Sequence, residues 1–141
     1  MKPVTAFKVA LLEALKADSS VAAIVAGRVF DVPPRDARNL PSDVADGAAY
    51  CYLGPLNAVR EAEDCGDRWR VTARIYAVSF QLGRDEAWSL NSAIEAALEN
   101  VQLSMSTGGH SPGLWPVQSG DVVDPIMPVM TYVDVTTYVH A

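Results

Sequence analysis

The stretch RWRVTARIYAVSF, Arg68–Phe80, decides how the rest of the chain is read. Side chains alternate across a β-strand, so residues two apart share a face. One face of this segment carries Trp69, Val71, Ala73, Ile75 and Ala77. The other carries Arg68, Arg70, Thr72, Arg74 and Tyr76. The apolar set predicts a strand laid on a core, with the arginines on the opposite side. A single-strand nucleic-acid platform would need its aromatics on one face. Trp69 and Tyr76 fall on opposite faces, and the upstream REAED offers Glu61, Glu63 and Asp64 as cross-strand partners for the arginines.

Working outward, the last segment PVMTYVDVTTYVHA has the same period. Val129, Thr131, Val133, Val135, Thr137 and Val139 share one face. Met130, Tyr132, Asp134, Tyr138 and His140 share the other. AAYCYLG, 48–54, reads as a strand closed by Gly54 and Pro55, and an edge strand is expected over Ala58–Glu63. RVFDV is a short strand. LWPVQSGDVVD is another candidate, weakened by Pro116.

Two segments have helical spacing. Val4, Phe7, Leu11 and Leu15 form one apolar stripe over Pro3–Ala17. Ala87, Leu90, Ile94, Ala97, Leu98 and Val101 form the stripe of GRDEAWSLNSAIEAALENV. Asp85 and Glu86 suit the start of the second helix through its dipole. DSSVAAIVAG offers an N-cap at Asp18–Ser20, a short apolar turn of helix, and Gly27 as its stop. The expected architecture is α+β, a mostly antiparallel sheet with two main helices packed on one face. At 141 residues the chain reads as a single domain, 1–141. A chain of that length buries roughly two-thirds of its unfolded surface and needs no metal or disulfide support.

The net charge is −6, which argues against a general polyanion binder. The longest apolar runs fall far short of the ~20 residues of a membrane span. Lys8, Glu13, Lys16 and Asp18 interrupt the N-terminal segment, so no signal-peptide core forms. The chain therefore reads as soluble and cytoplasmic. Cys51 reads as a buried small hydrophobe and Cys65 as an exposed free thiol.

No chemical motif emerges. His110 lies in STGGHSPG beside serines, without a GxSxG or a strand–turn–helix setting, and it reads as a loop histidine. The same loop has no P-loop lysine. No catalytic, metal or cofactor residue is assigned, and the expectation is a non-enzyme. Residues 33–47, PPRDARNLPSDVADG, form a long charged loop and the first place to look for a partner, with Arg35, Asp36 and Arg38 as candidates. The second sheet face collects Arg70, Arg74, Tyr76, Met130, Tyr132 and Tyr138, residue types enriched in interfaces. That face is either covered by another subunit or partner, together with Glu61 and Glu63, or is an amphipathic outer face.

The order of ALKADSSVAAIVAGRVFDVPP, AAYCYLG, a charged hairpin, RWRVTARIYAVSF, GRDEAWSLNSAIEAAL and a long final β segment resembles the tail-completion, or tail-terminator, proteins of long-tailed bacteriophages and gene transfer agents. The likeness covers nearly the whole chain, most specifically GRVFDVPP and the strand–GRDEA–helix junction. The resemblance implies a small α+β subunit made in the host cytoplasm and placed in the virion tail at its head-proximal end. It implies a hexameric ring of identical copies that ends tail-tube growth. The implied partners are the tube protein and a neck or head–tail connector protein. DNA would pass the bore without specific binding. A neighbouring neck ring is the near variant. A nucleic-acid module using Arg68, Arg70 and Arg74, or a small hydrolase using His110, would be the departures in kind.

Overall fold

In the computed structural model the described residues are 4–32, 48–63, 66–105, 110–111, 113–122 and 129–140. Three helices, α1 (Val4–Ala17), α2 (Ser19–Val25) and α3 (Asp85–Leu98), accompany the strands β1 (Val29–Phe30), β2 (Tyr50–Glu63), β3 (Gly66–Ser79), β4 (Leu103–Ser104), β5 (His110–Ser111), β6 (Trp115–Val122) and β7 (Val129–His140). They form one sheet in the order β1-β2-β3-β7-β5-β4, with β6 also paired to β7. Among the described residues only the β1–β2 pairing is parallel; the others are antiparallel. The α+β expectation holds, with the short α2 as a third helix.

The alternation read from the sequence sets the sheet's inward side. Val71, Ala73, Ile75 and Ala77 of β3 and Val133, Val135 and Val139 of β7 are buried, in one cluster with Phe7, Leu11 and Leu15 of α1, Val21 and Val25 of α2, and Leu90, Ile94 and Leu98 of α3. The buried Thr131, Thr137 and Asn91 on this side are hydrogen-bonded. Thr131 Oγ1 donates to the Ala87 carbonyl at 3.2 Å, Thr137 Oγ1 to the Gly113 carbonyl at 2.6 Å, and Asn91 Nδ2 to the Tyr132 carbonyl at 2.9 Å. These bonds lock α3 and the 113 turn onto β7.

Local signals start and stop the helices. Asp18 caps α2, its Oδ1 accepting from the Ser20 and Val21 amides at 3.0 Å each. The chain leaves α2 through two left-handed residues, Ala26 at φ 49° and Gly27 at φ 82°, so the stop begins one residue before the glycine. Cys51 is buried, and loss of solvation raises its thiol pKa to about 12. Cys65 lies outside the described residues.

One expectation is corrected. Gly54 and Pro55 do not close a strand. β2 runs on through them to Glu63, with a bulge between Leu53 and Leu56. A proline is tolerated there because the bulge removes the ladder bond it could not make. Beyond the bulge, Leu56–Glu63 pairs with β3 on one side only among the described residues. Pro116 has a similar position in β6, beside a register shift between Pro116 and Gln118. Among the described residues no helix is long and apolar enough to cross a membrane.

Candidate assembly surface

The register brings the outward side chains of β2, β3, β7 and β6 into one surface. Tyr76 faces Tyr132, and Arg74 faces Asp134. Arg74 grips Asp134 with two bonds, Nε to Oδ1 at 2.7 Å and Nη2 to Oδ2 at 3.0 Å. Its guanidinium carbon also lies 4.1 Å from the centre of the Tyr132 ring. The Asp134 carboxylate first, and the Tyr76 hydroxyl after it, hold the Arg74 guanidinium further toward its charged form. Arg68 lies 4.8 Å from the Tyr138 ring centre and reaches Glu61 Oε2 at 3.0 Å. Arg70 is exposed and meets the same carboxylate at 3.7 Å.

Each arginine of the opening stretch thus has a carboxylate within the chain. The expected cross-hairpin pairing holds at Glu61. The partner of Arg74 is on the far strand instead, where sequence order gave no hint of it. A phosphate backbone would have to displace these carboxylates, which gives no support to a nucleic-acid grip.

Two tyrosines lie flat across glycines. A Cβ added at Gly54 would stand 2.5 Å from Tyr76 Cε2, and one added at Gly120 would stand 2.8 Å from the Tyr132 hydroxyl. The rings thereby cover the backbone of the flanking strands, Tyr76 toward β2 and Tyr132 toward β6. Gln118 Nε2 donates to the Tyr132 hydroxyl at 3.1 Å. Tyr52 and Tyr76 have ring centres 5.0 Å apart, and Trp115 meets the edge of Tyr138 at 6.3 Å. At one end of the face, Tyr50 and Val78 are buried under Phe30, Tyr52, Phe80 and Met130.

Of the residues expected on this surface, Glu61, Arg70, Arg74, Tyr76, Met130, Tyr132 and Tyr138 share the outward face. The side chain of Glu63 lies outside the described residues, as do Arg35, Asp36 and Arg38. Asp134, Tyr52, Gly54, Gly120 and Trp115 complete the face and were not singled out; pairing the two alternating strands by their outward sets would have found Asp134. His110 sits in β5 opposite His140 in the backbone register; their side chains lie outside the described residues. Among the described residues no three His, Cys, Asp or Glu side chains converge.

The surface is an aromatic, arginine-rich sheet side backed by a helix-covered core. A chain of the solved structure described as "Virion of native gene transfer agent (GTA) particle" superposes with a TM-score of 0.83 at 22% identity, covering 98% of this chain and 97% of that one. At that identity the likeness speaks for the fold. No curated protein matches the chain in sequence. Residues 9–136 match the family Tail completion protein gp17. With nearly the whole domain inside that match, the chain belongs to the tail completion protein gp17 family and is a structural protein of the virion tail.

Proposed function

We propose that this protein forms a ring at the head-proximal end of the tail tube, where it ends tube polymerisation and joins the tail to the neck. The observation that carries the reading is the one-sided fold. All three helices place their large buried residues in the cluster on the inward side of the sheet. The outward side presents Arg70, Arg74, Tyr76, Met130, Tyr132 and Tyr138, with Glu61 at its hairpin end. In this reading that side is where the subunit meets its neighbours in the particle. The ring is a hexamer of identical chains, its partners are the tube protein and a neck or connector protein, and it works without catalysis. A net charge of −6 lets DNA pass the bore without the counterion-release gain that would make it stick.

Electron microscopy of the purified full chain, alone and mixed with the tube protein of its particle, tests this. The expected result is rings of uniform size and tubes capped at one end. Monomers at high concentration, together with tube growth unaltered by the protein, would overturn it. Rings that bind the neck protein and ignore the tube would favour the neighbouring neck position.

A further inference from the structure

One part of the outward face is less satisfied than its centre. Val59, Arg70 and Tyr138 stand opposite one another in a cross-strand row. Trp115 lies beside them, its ring centre 6.3 Å from that of Tyr138. Val59 and Trp115 are exposed large hydrophobics, at 40% and 44%. The Arg70 side chain is half exposed. Its ion pair among the described residues is a 3.7 Å contact with Glu61, a carboxylate that Arg68 already holds at 3.0 Å. Tryptophan, tyrosine and arginine are the residue types that most often anchor protein contacts.

The other side of the molecule carries the opposite charge. α3 turns Leu90, Ile94 and Leu98 into the core. Its outer stripe, at the same helical spacing, is Asp85, Ser89, Ser92, Ala96 and Glu99, all exposed. The helix contains no lysine or arginine. Among the described residues neither Asp85 nor Glu99 has a side-chain hydrogen bond or ion pair. Between these two carboxylates the side chains are small, and Asp85, Trp88, Ser89 and Ser92 line an open depression.

The two surfaces complement each other in charge and in relief. One projects a guanidinium flanked by apolar side chains; the other is recessed, with a carboxylate at each end. Asp85 and Glu99 stand about 21 Å apart along the helix. The patch from Val59 on β2 to Trp115 on β6 crosses three strand spacings, about 14 Å. It therefore fits between the carboxylates. One copy cannot make this contact with itself, because α3 lies on the inward side of the sheet and Arg70 on the outward side.

We propose that Arg70 of one copy takes an α3 carboxylate, Asp85 or Glu99, of the next, with Val59 and Trp115 packed against the small side chains between them. This rests on the ring reading and names the neighbour's half of its contact. The interface joins the outward side of one chain to the helical side of another, so it is heterologous, the kind that closes into rings. It also sets opposite charges together between chains that each carry −6 and otherwise repel.

Two charge-reversed full chains test it, Arg70→Glu and Asp85→Lys/Glu99→Lys. Native mass spectrometry and sedimentation give the species, and circular dichroism with thermal melting confirms folding. The expected result is loss of rings in each variant alone. An equimolar mixture then recovers rings in which the two variants alternate, because every junction again pairs opposite charges. Rings persisting in either folded variant, or a mixture that recovers none, would overturn the contact while leaving the ring reading intact. Should a variant unfold, carbodiimide cross-linking of Arg70→Lys replaces it. An intermolecular link from position 70 to Asp85 or Glu99 is expected; links to other carboxylates alone, or none, would overturn the proposal. A wild type that never forms rings overturns the ring reading and this contact together.

Discussion

Gly120→Ala is the sharpest probe of how the outward face is held. The added methyl would stand 2.8 Å from the Tyr132 hydroxyl, 2.9 Å from Cε1 and 3.0 Å from Cζ, so the ring has to move. Moving it weakens the Arg74 stack at 4.1 Å, worth about 0.5–1 kcal/mol at such a site. It also breaks the bond from Gln118 at 3.1 Å, worth about 0.5–1.5 kcal/mol. Against this stands the reduced entropy of the unfolded chain, which favours alanine by about 0.4–1 kcal/mol where φ is compatible. Gly120 is not among the positive-φ glycines, so alanine meets no backbone penalty there. The net expectation is a loss of about 1 kcal/mol, or roughly 3 °C in melting midpoint. In a Tyr132→Ala background the obstacle is gone, and the same change should stabilise by about 0.5 kcal/mol. Urea titration of the four proteins, at concentrations where each is monomeric, reads the cycle. An equal effect in both backgrounds, or a neutral Gly120→Ala in the wild type, would refute the idea that the ring needs the bare glycine.

Asp134→Asn removes the charge that Arg74 grips and should cost about 1 kcal/mol, at the upper end for a partly exposed pair. Its urea midpoint should approach that of the wild type as salt rises, since screening weakens what the variant lost. Asp18→Ala deletes the side-chain acceptor for two α2 amides and should lower stability by about 1 kcal/mol, with Asp18→Asn recovering most of it. Cys51, with its pKa raised from 9.0 to about 12, keeps its proton in the folded state while the unfolded thiol ionises. The folded chain then binds more protons than the unfolded one between those values, so this contribution to stability is lost as pH rises from about 9 toward 12. In a Cys65→Ser variant, thiol labelling at pH 8 should therefore follow global unfolding; fast labelling of the native protein would contradict the burial.

The period-two strands were legible because their inward positions are apolar almost without exception. Odd positions from Trp69 to Ala77 and from Thr131 to Val139 are buried. Phe7, Leu11 and Leu15 were legible as a helix face for the same reason: one stripe meets one core. Gly54-Pro55 was misleading because turn chemistry is a local signal and the bulge is a tertiary outcome. The Tyr76 ring covers the glycine, a fact that depends on a residue 22 positions away. The partner of Arg74 was hidden likewise. Glu61 is near in sequence and Asp134 is not, yet register makes Asp134 the closer ligand. The exposed rim of β6 was hidden by Pro116, which weakened the strand on paper while the register shift beside it keeps the pairing with β7.

These misreadings share a cause that bears on assembly. Glycines under tyrosines and carboxylates under arginines close the middle of the outward face without help from a second chain. A subunit has to stay soluble before it finds its neighbours, and a wide unsatisfied aromatic face would work against that. Satisfying the centre within the chain avoids the conflict. In the proposed ring the closing contact would form without immobilising another free chain, so closure would multiply the strength of every joint. The physical division in the structure is a self-satisfied centre with the exposed apolar side chains Val59, Trp115 and Val117 toward its margins, which is compatible with a chain that stays single when dilute.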